Sequence, residues 1–309
     1  MVGYVLRRLL YMVITLWVIA SLTFFLMHMI PGDPFTTSKI LDPVILQNIK
    51  AKYGLDQPLP VQYLDYLSNL IHGDLGVSYK YQGRTVNEII ATTFGPSFTI
   101  GFEAIAFAVV VGLALGIVAA VQRDTVTDRV AMVIAVLGIS VPNFVIAALL
   151  QYFIGFRWQW LPISGWGGIA YTVLPALALA ASPMAQIARM MRASMIEVTG
   201  QEYIKTARAK GLSMPAVVWR HMIRNAILPV VTILGPMIAA VVTGVMVVEQ
   251  IFNVPGMGQY FVTSVEDDDY TMIMGVTLFF AALLVFLLFL VDVAYSWIDP
   301  RIRVGRREA

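Results

Sequence analysis

The chain alternates long apolar runs with polar connections. Six runs reach the length a membrane helix needs, about 20 residues: roughly residues 9–30, 97–121, 130–154, 171–191, 227–248 and 272–297. In hydrocarbon such a run is a helix, because only a helix or a closed barrel satisfies every backbone group. The fourth run is the most interrupted, with Pro175 and Pro183 inside it and Gln186 and Arg189 towards its end. The pattern predicts an all-α integral membrane fold of six transmembrane helices. Arg7 and Arg8 ahead of the first run resemble the start of a signal peptide. The run is longer than an ordinary signal core and lacks a small-x-small cleavage pattern before Pro31, so a retained helix is expected.

Two connections are long. Residues 31–96 are punctuated by Pro31-Gly32-Asp33-Pro34, Tyr53-Gly54, Gln57-Pro58 and His72-Gly73-Asp74, and are amphipathic from Val61 to Ile71. Without charge runs or Ser/Gly tracts, this segment reads as a small ordered cap and not as a linker. Residues 192–226 read as helix–glycine–helix. Glu202 to Lys210 carries good helix formers, and Gly211 suits the positive φ of a helix end. Ser213 suits the next N-cap and Pro215 its first turn. Met214, Val217, Val218 and Met222 then recur on one face, with Arg220 and Arg224 one turn apart. Two readings fit this second helix: an amphipathic helix lying on anionic lipid, or a docking helix for a partner.

Composition removes whole function classes. Apolar residues make up 59% of the 309 and charged ones only 13%, where a soluble domain carries about 25%. With a mean hydropathy of +0.77, the bilayer must serve as solvent. A formal net charge of +2 does not suggest nucleic acid. The absence of cysteine removes disulfides and thiolate chemistry, and His28, His72 and His221 are too scattered for a metal cluster. No phosphate loop, His-Glu-x-x-His or Gly-x-Ser-x-Gly occurs, so no enzymatic site and no cofactor are expected in this chain.

Placing the N-terminus inside puts 15 of the 21 basic residues in cytoplasmic segments, from Arg7 and Arg8 to Arg306 and Arg307. The other six are Lys39, Lys50, Lys52, Lys80, Arg84 and Arg157, and the last outer loop carries Glu266, Asp267, Asp268 and Asp269 without a base. Both termini are therefore expected in the cytoplasm.

Polar groups inside the runs mark candidate pathway positions. A carboxylate at mid-membrane costs about 2.5–3.5 kcal/mol on insertion scales, so Glu103 either lines a pathway or packs at an interface. Asn143 beside Pro142, and Ser182 beside Pro183, either kink their helices or open a polar wall. Gln186 reads as a helix–helix hydrogen bond, and Asp292 as a structural pair for the basic tail. Gly112 and Gly116 form a small-xxx-small pair for close helix packing. Glu249 ahead of Pro255-Gly256-Met257-Gly258 marks a plain turn, an outer gate or a receptor contact.

The residues of the 192–226 loop also carry a family resemblance. Lys205-Thr206-Ala207-Arg208-Ala209-Lys210-Gly211 resembles the Glu-Ala-Ala-x-x-x-Gly loop of ABC-importer permeases. Ala207 and Gly211 match it, while Lys205, Thr206 and the late Leu228-Pro229 depart from it as the peptide/nickel branch does. The resemblance extends along the chain through Ile30-Pro31-Gly32-Asp33-Pro34, Tyr53-Gly54-Leu55-Asp56, Gly73-Asp74-Leu75-Gly76, Val248-Glu249-Gln250-Ile251-Phe252 and Asp299-Pro300-Arg301. Together these are similar to the first, B-type, permease of oligopeptide and dipeptide importers, and Ser78-Tyr79-Lys80-Tyr81 leans towards oligopeptide. Asp268-Asp269-Tyr270-Thr271 departs from the Arg-Asp-Tyr-Pro of many relatives.

The resemblance implies a type I ABC-importer permease fold in a bacterial cytoplasmic membrane. It implies a first helix over 1–30, an extracytoplasmic segment over 31–96, a five-helix core over 97–298 and a cytoplasmic tail over 299–309. Glu202, Lys205, Ala207, Arg208 and Gly211 would couple to ATPases. Glu103, Asn143 and Ser182 would line the substrate path, and Glu249, Pro255 and Gly256 would form the outer gate or meet a receptor. The implied partners are a second homologous permease, two cytoplasmic ATPase subunits that bind ATP and Mg, an extracytoplasmic peptide-binding protein, peptide and membrane lipid. A dipeptide or nickel importer of the same family, or an ion-coupled secondary transporter, are the competing functions.

Overall fold

The computed structural model describes residues 2–30, 47, 50, 51, 53–81, 83–243 and 246–298. The tail 299–309, the Pro31-Gly32-Asp33-Pro34 turn and the side chain of Asp292 lie outside what is described. Helices dominate; among the described residues, extended backbone pairs only at the single bridge between Val77 and Thr85. Among the described residues four helices are long and apolar enough to cross a membrane alone, and up to six spans result if each of two bent pairs counts as one. The chain divides into two compact units, residues 1–95 with 256–286 and residues 96–255 with 287–309.

The first unit contains α1 (Val2–Met29), α2 (Leu59–Ile71), the start of α3 (Val86–Val121), α11 (Met257–Glu266) and the first part of α12 (Tyr270–Ile298). Most of α1 is bare: Leu6, Val13 and Leu22 are each more than half exposed. Only its far end is packed. Phe24 stacks on Tyr66 and His28 and joins Tyr270 and Met274, while Ser21 meets the Tyr63 hydroxyl at 2.6 Å. The amphipathic stretch expected at Val61–Ile71 is α2, entered through Pro60 in its first turn.

Helix α3 begins at Val86, eleven residues before the apolar run that predicted it. A reciprocal cap explains the early start: the Glu88 amide donates to Thr85 Oγ1 and the Thr85 amide donates to Glu88 Oε2, both at 3.1 Å. Val86, Ile89 and Ile90 recur at helical spacing and bury against Met257, Met272 and Val276. Burying side chains of this size is worth about 1.5–3 kcal/mol each where water is the alternative.

The second unit is organised on α6 (Ile169–Thr199), which packs against α4 (Val126–Ser140), α5 (Asn143–Arg157), α8 (Met214–Ala226), α9 (Leu228–Thr243) and α10 (Met246–Phe252). Lipid tails are as apolar as the helices, so close van der Waals contact must hold them together. The expected Gly112/Gly116 packing is present. A Cβ at Gly116 would lie 2.6 Å from the Ala188 carbonyl oxygen, and one at Gly112 2.7 Å from that of Met184. Gly138 of α4 approaches the Ala181 carbonyl oxygen as closely, at 2.7 Å.

The third apolar run is not one straight span. It breaks at Val141-Pro142 into α4 and α5, which meet at 105°. Each piece has 15 residues, or about 22 Å of helix, short of the roughly 30 Å hydrocarbon core. Pro142 has no N–H to continue the ladder, and at 105° the result is a full break and not a simple kink. The last turns of α5, Gln151–Arg157, widen into a π-helix. Gln151 Nε2 there donates to the Ile163 and Ile251 carbonyls at 3.1 and 2.9 Å.

Candidate functional site

The 192–226 loop folds as its sequence predicts, with two amendments. Helix α7, Glu202–Ala209, turns Ile204 and Ala207 inward and leaves Glu202, Lys205 and Arg208 exposed. Ala207 therefore offers no surface and only seats the helix. Gly211 has φ +79°, and the Leu212 and Gly211 amides donate to the Ala207 and Arg208 carbonyls at 3.3 and 2.9 Å. This pairing is a Schellman close, which needs the left-handed backbone glycine adopts freely. The first amendment is that Ser213 makes no side-chain cap bond to α8. The second is that Val217, Val218 and Met222 are buried in the chain's own core, so this stripe is not available to lie on lipid.

The exposed surface of α7 is a ledge of mixed charge. Lys205 Nζ pairs with Glu202 Oε1 at 2.7 Å, but both side chains are well exposed, so the pair is worth at most about 1 kcal/mol and can be exchanged for a partner's groups. Behind the ledge stands a link the sequence reading passed over. Arg192 of α6 grips Asp128 of α4 through two bonds, Nε to Oδ1 at 2.6 Å and Nη2 to Oδ2 at 2.7 Å. Asp128 is 3% exposed. The pair ties α4 to the last turns of α6, just ahead of α7. The signal was present, since Thr125 caps α4 and Asp128 stands three residues on.

A recess of about 640 Å³ lies among α5, α6 and α9, lined by Asn143, Ser182, Gln186 and Thr232 together with apolar residues. Two of the pathway candidates, Asn143 and Ser182, thus come together. Glu103 does not; it is half-buried elsewhere on α3 and lines no part of this recess. Gln186 donates to Ser182 Oγ one turn away at 3.2 Å and so is not the helix–helix bond expected of it. Leu179 and Pro183 line the recess, as do Thr232 and Pro236. Each proline lacks the N–H that would have reached the carbonyl four residues earlier. The recess therefore gathers four neutral polar side chains and two prolines, with no charged residue in its lining.

The outer-gate candidates separate. Glu249 is 1% exposed and accepts a 2.5 Å bond from Ser97 Oγ, which rules it out as a receptor contact in this conformation. Pro255 is exposed and Gly256 buried. The acidic loop is not a free cluster either. Asp269 is fully buried and accepts from Ser78 Oγ and from the amides of Tyr79, Lys80 and Met272. Asp267 pairs with Lys80 at 2.6 Å, which holds the Lys80 ammonium above its ordinary pKa. Gly76 is needed beside them, with φ +91° and the Thr271 methyl 2.6 Å from where a Cβ would stand.

The chain matches two families over its length. Residues 112–304 match the binding-protein-dependent transport system inner membrane component, and residues 1–111 the N-terminal part of such a membrane component. It is 45% identical to the dipeptide transport system permease protein DppB of Bacillus subtilis, over 99% of this chain and all of the relative. It is 41% identical to the oligopeptide transport system permease protein OppB of Salmonella typhimurium, over 98% of this chain and all of the relative. Among solved structures it resembles the MetNI methionine ABC transporter in inward-facing conformations. That match has a TM-score of 0.50 at 19% identity, covering 71% of this chain and 97% of the other.

Proposed function

This chain belongs to the family of binding-protein-dependent transport system inner membrane components, and from that premise we propose that it is the membrane-spanning permease subunit of an ATP-driven peptide importer. Relatives that match over nearly the whole chain are permeases of both dipeptide and oligopeptide systems, so peptide is the substrate class and length is left to the rest of the machinery. Charges and backbone amides are costly to strand in hydrocarbon, so a peptide needs a wet path. The recess around Asn143, Ser182, Gln186 and Thr232 supports this chain as one wall of that path. Its uncharged donors and acceptors suit a peptide backbone of any sequence. A second permease of the same family supplies the opposite wall.

ATP and Mg are bound by separate ATPase subunits against which α7 docks. Glu202 and Lys205 make the contact with Arg208 at its edge, Ala207 seats the helix, and Gly211 closes it. The preponderance of basic residues supports both termini and this loop in the cytoplasm. Residues 31–96 then face an extracytoplasmic peptide-binding protein on the other side.

The test is the assembled complex in proteoliposomes, with uptake of a labelled peptide and ATP hydrolysis measured together. Ser182→Trp fills much of the recess and is expected to stop uptake while ATP hydrolysis continues. Uptake at the original rate by that variant, or uptake without the ATPases, overturns the proposal.

A further inference from the structure

A second recess, of about 330 Å³, opens where the ends of α3 and α6 meet α7 and α8. Its lining divides by chemistry. Arg123, Arg208 and Thr199 form a polar wall; Val121, Ile196, Met214 and Met222 form an apolar one, and no carboxylate lines it. The Arg208 side chain has no hydrogen-bond or ion-pair partner among the described residues. Among the described residues the Arg123 side chain pairs with Asp124, at 3.3 Å with both side chains exposed, a contact too weak to hold it. The C-terminal carbonyls of α6 at Thr199 and Gly200 oppose an anion with about half a charge, which two guanidinium groups outweigh.

We propose that this recess holds the phosphate headgroup of an anionic phospholipid, with the start of an acyl chain against the exposed Val121 and Met214. A free phosphate would use the arginines alone. The apolar wall is the part that selects an amphiphile, and Val121 and Met214 are 45% and 44% exposed at its open edge. Basic pockets at the cytoplasmic ends of membrane helices are where such headgroups collect. Because Arg208 stands on α7, the bound lipid ties the helix that meets the ATPase to the inner leaflet. This assignment rests on the proposed cytoplasmic placement of the loop.

The experiment uses the assembled complex in nanodiscs of phosphatidylcholine with graded phosphatidylglycerol, and counts retained phosphatidylglycerol by native mass spectrometry. Arg123→Gln and Arg208→Gln are each expected to weaken retention about fivefold, the double variant more, and Arg208→Lys much less. Arg224→Gln, an exposed arginine outside this recess, should leave retention unchanged. Glycerol phosphate in solution should fail to displace the lipid; displacement at matched concentration overturns the lipid assignment in favour of a simple phosphate site. Unchanged retention in the double variant overturns the site altogether. Sidedness is read separately, from a lone cysteine introduced at Lys210 of this cysteine-free chain and labelled from one face. An externally labelled cysteine sinks the placement without touching the retention result.

Discussion

Replacing Asp269 by asparagine is expected to loosen the outer turn of the first unit at a definable set of amides. The carboxylate is fully buried. Its Oδ2 accepts from Ser78 Oγ at 2.5 Å and the Lys80 amide at 3.2 Å, and its Oδ1 from the Tyr79 and Met272 amides at 3.2 and 3.1 Å. Asparagine keeps one acceptor oxygen. Turned so that its NH₂ replaces Oδ2, it opposes the Lys80 amide but can donate to the Ser78 hydroxyl, which rotates to accept. One charge-assisted bond is lost, worth about 1.5–3 kcal/mol, and the other three fall to neutral strength. The Tyr79 and Lys80 amides are only partly buried and recover some of this from water, so about 3 kcal/mol is the working figure. Hydrogen exchange at Tyr79, Lys80 and Met272 should then quicken by roughly 150-fold, with amides near Gly116 as reference. Ser78→Ala, which removes one bond, should show a smaller change at the same amides. Unchanged protection in the Asp269 variant would refute the account of this residue as the anchor of the turn.

Three further outcomes are expected. Gly211→Val meets no atom within 4 Å, so its effect is backbone strain of about 1–2 kcal/mol. It should reduce co-purification of the ATPases while membrane insertion persists, and full recovery of the ATPases would contradict the docking role of α7. Arg192→Ala leaves the Asp128 carboxylate its bond from the Asp124 amide but not its charged partner, and since Arg192 is partly exposed the cost is about 1–3 kcal/mol. It should lower the thermal midpoint of the detergent-solubilised protein, and a midpoint equal to wild type would show the pair to be dispensable. Gly116→Leu drives a side chain into the Ala188 carbonyl and Met191 and should cost at least 1–3 kcal/mol, measured against Gly95→Ala, whose Cβ would meet nothing within 4 Å.

Much of this protein is legible along its chain because the bilayer imposes simple rules. Unbroken apolar length marks α1, α3 and α12, and α6 despite its interruptions, since each must satisfy its backbone alone in lipid. Gly211 is equally legible, because a helix end that turns left-handed calls for glycine in any context. The start of α3 is less so. Its apolar run begins near residue 97, and only the reciprocal bonding of Thr85 and Glu88 carries the helix back to Val86. A Thr-x-x-Glu spacing was available in the sequence, but nothing local says whether such a pair is used.

Tertiary structure alone decides which polar groups share a space. Glu103, Asn143 and Ser182 look alike as isolated polar residues in apolar runs. The 105° break at Pro142 brings Asn143 to Ser182 and leaves Glu103 elsewhere. Asp267 and Asp269 look alike as acids in one loop, yet one pairs with exposed Lys80 and the other is sealed by four donors, three of them nearly 190 positions away. Periodicity and length report how a segment meets its solvent. Partners distant in the chain are set by how the helices cross, and that is a property of packing that no single segment encodes.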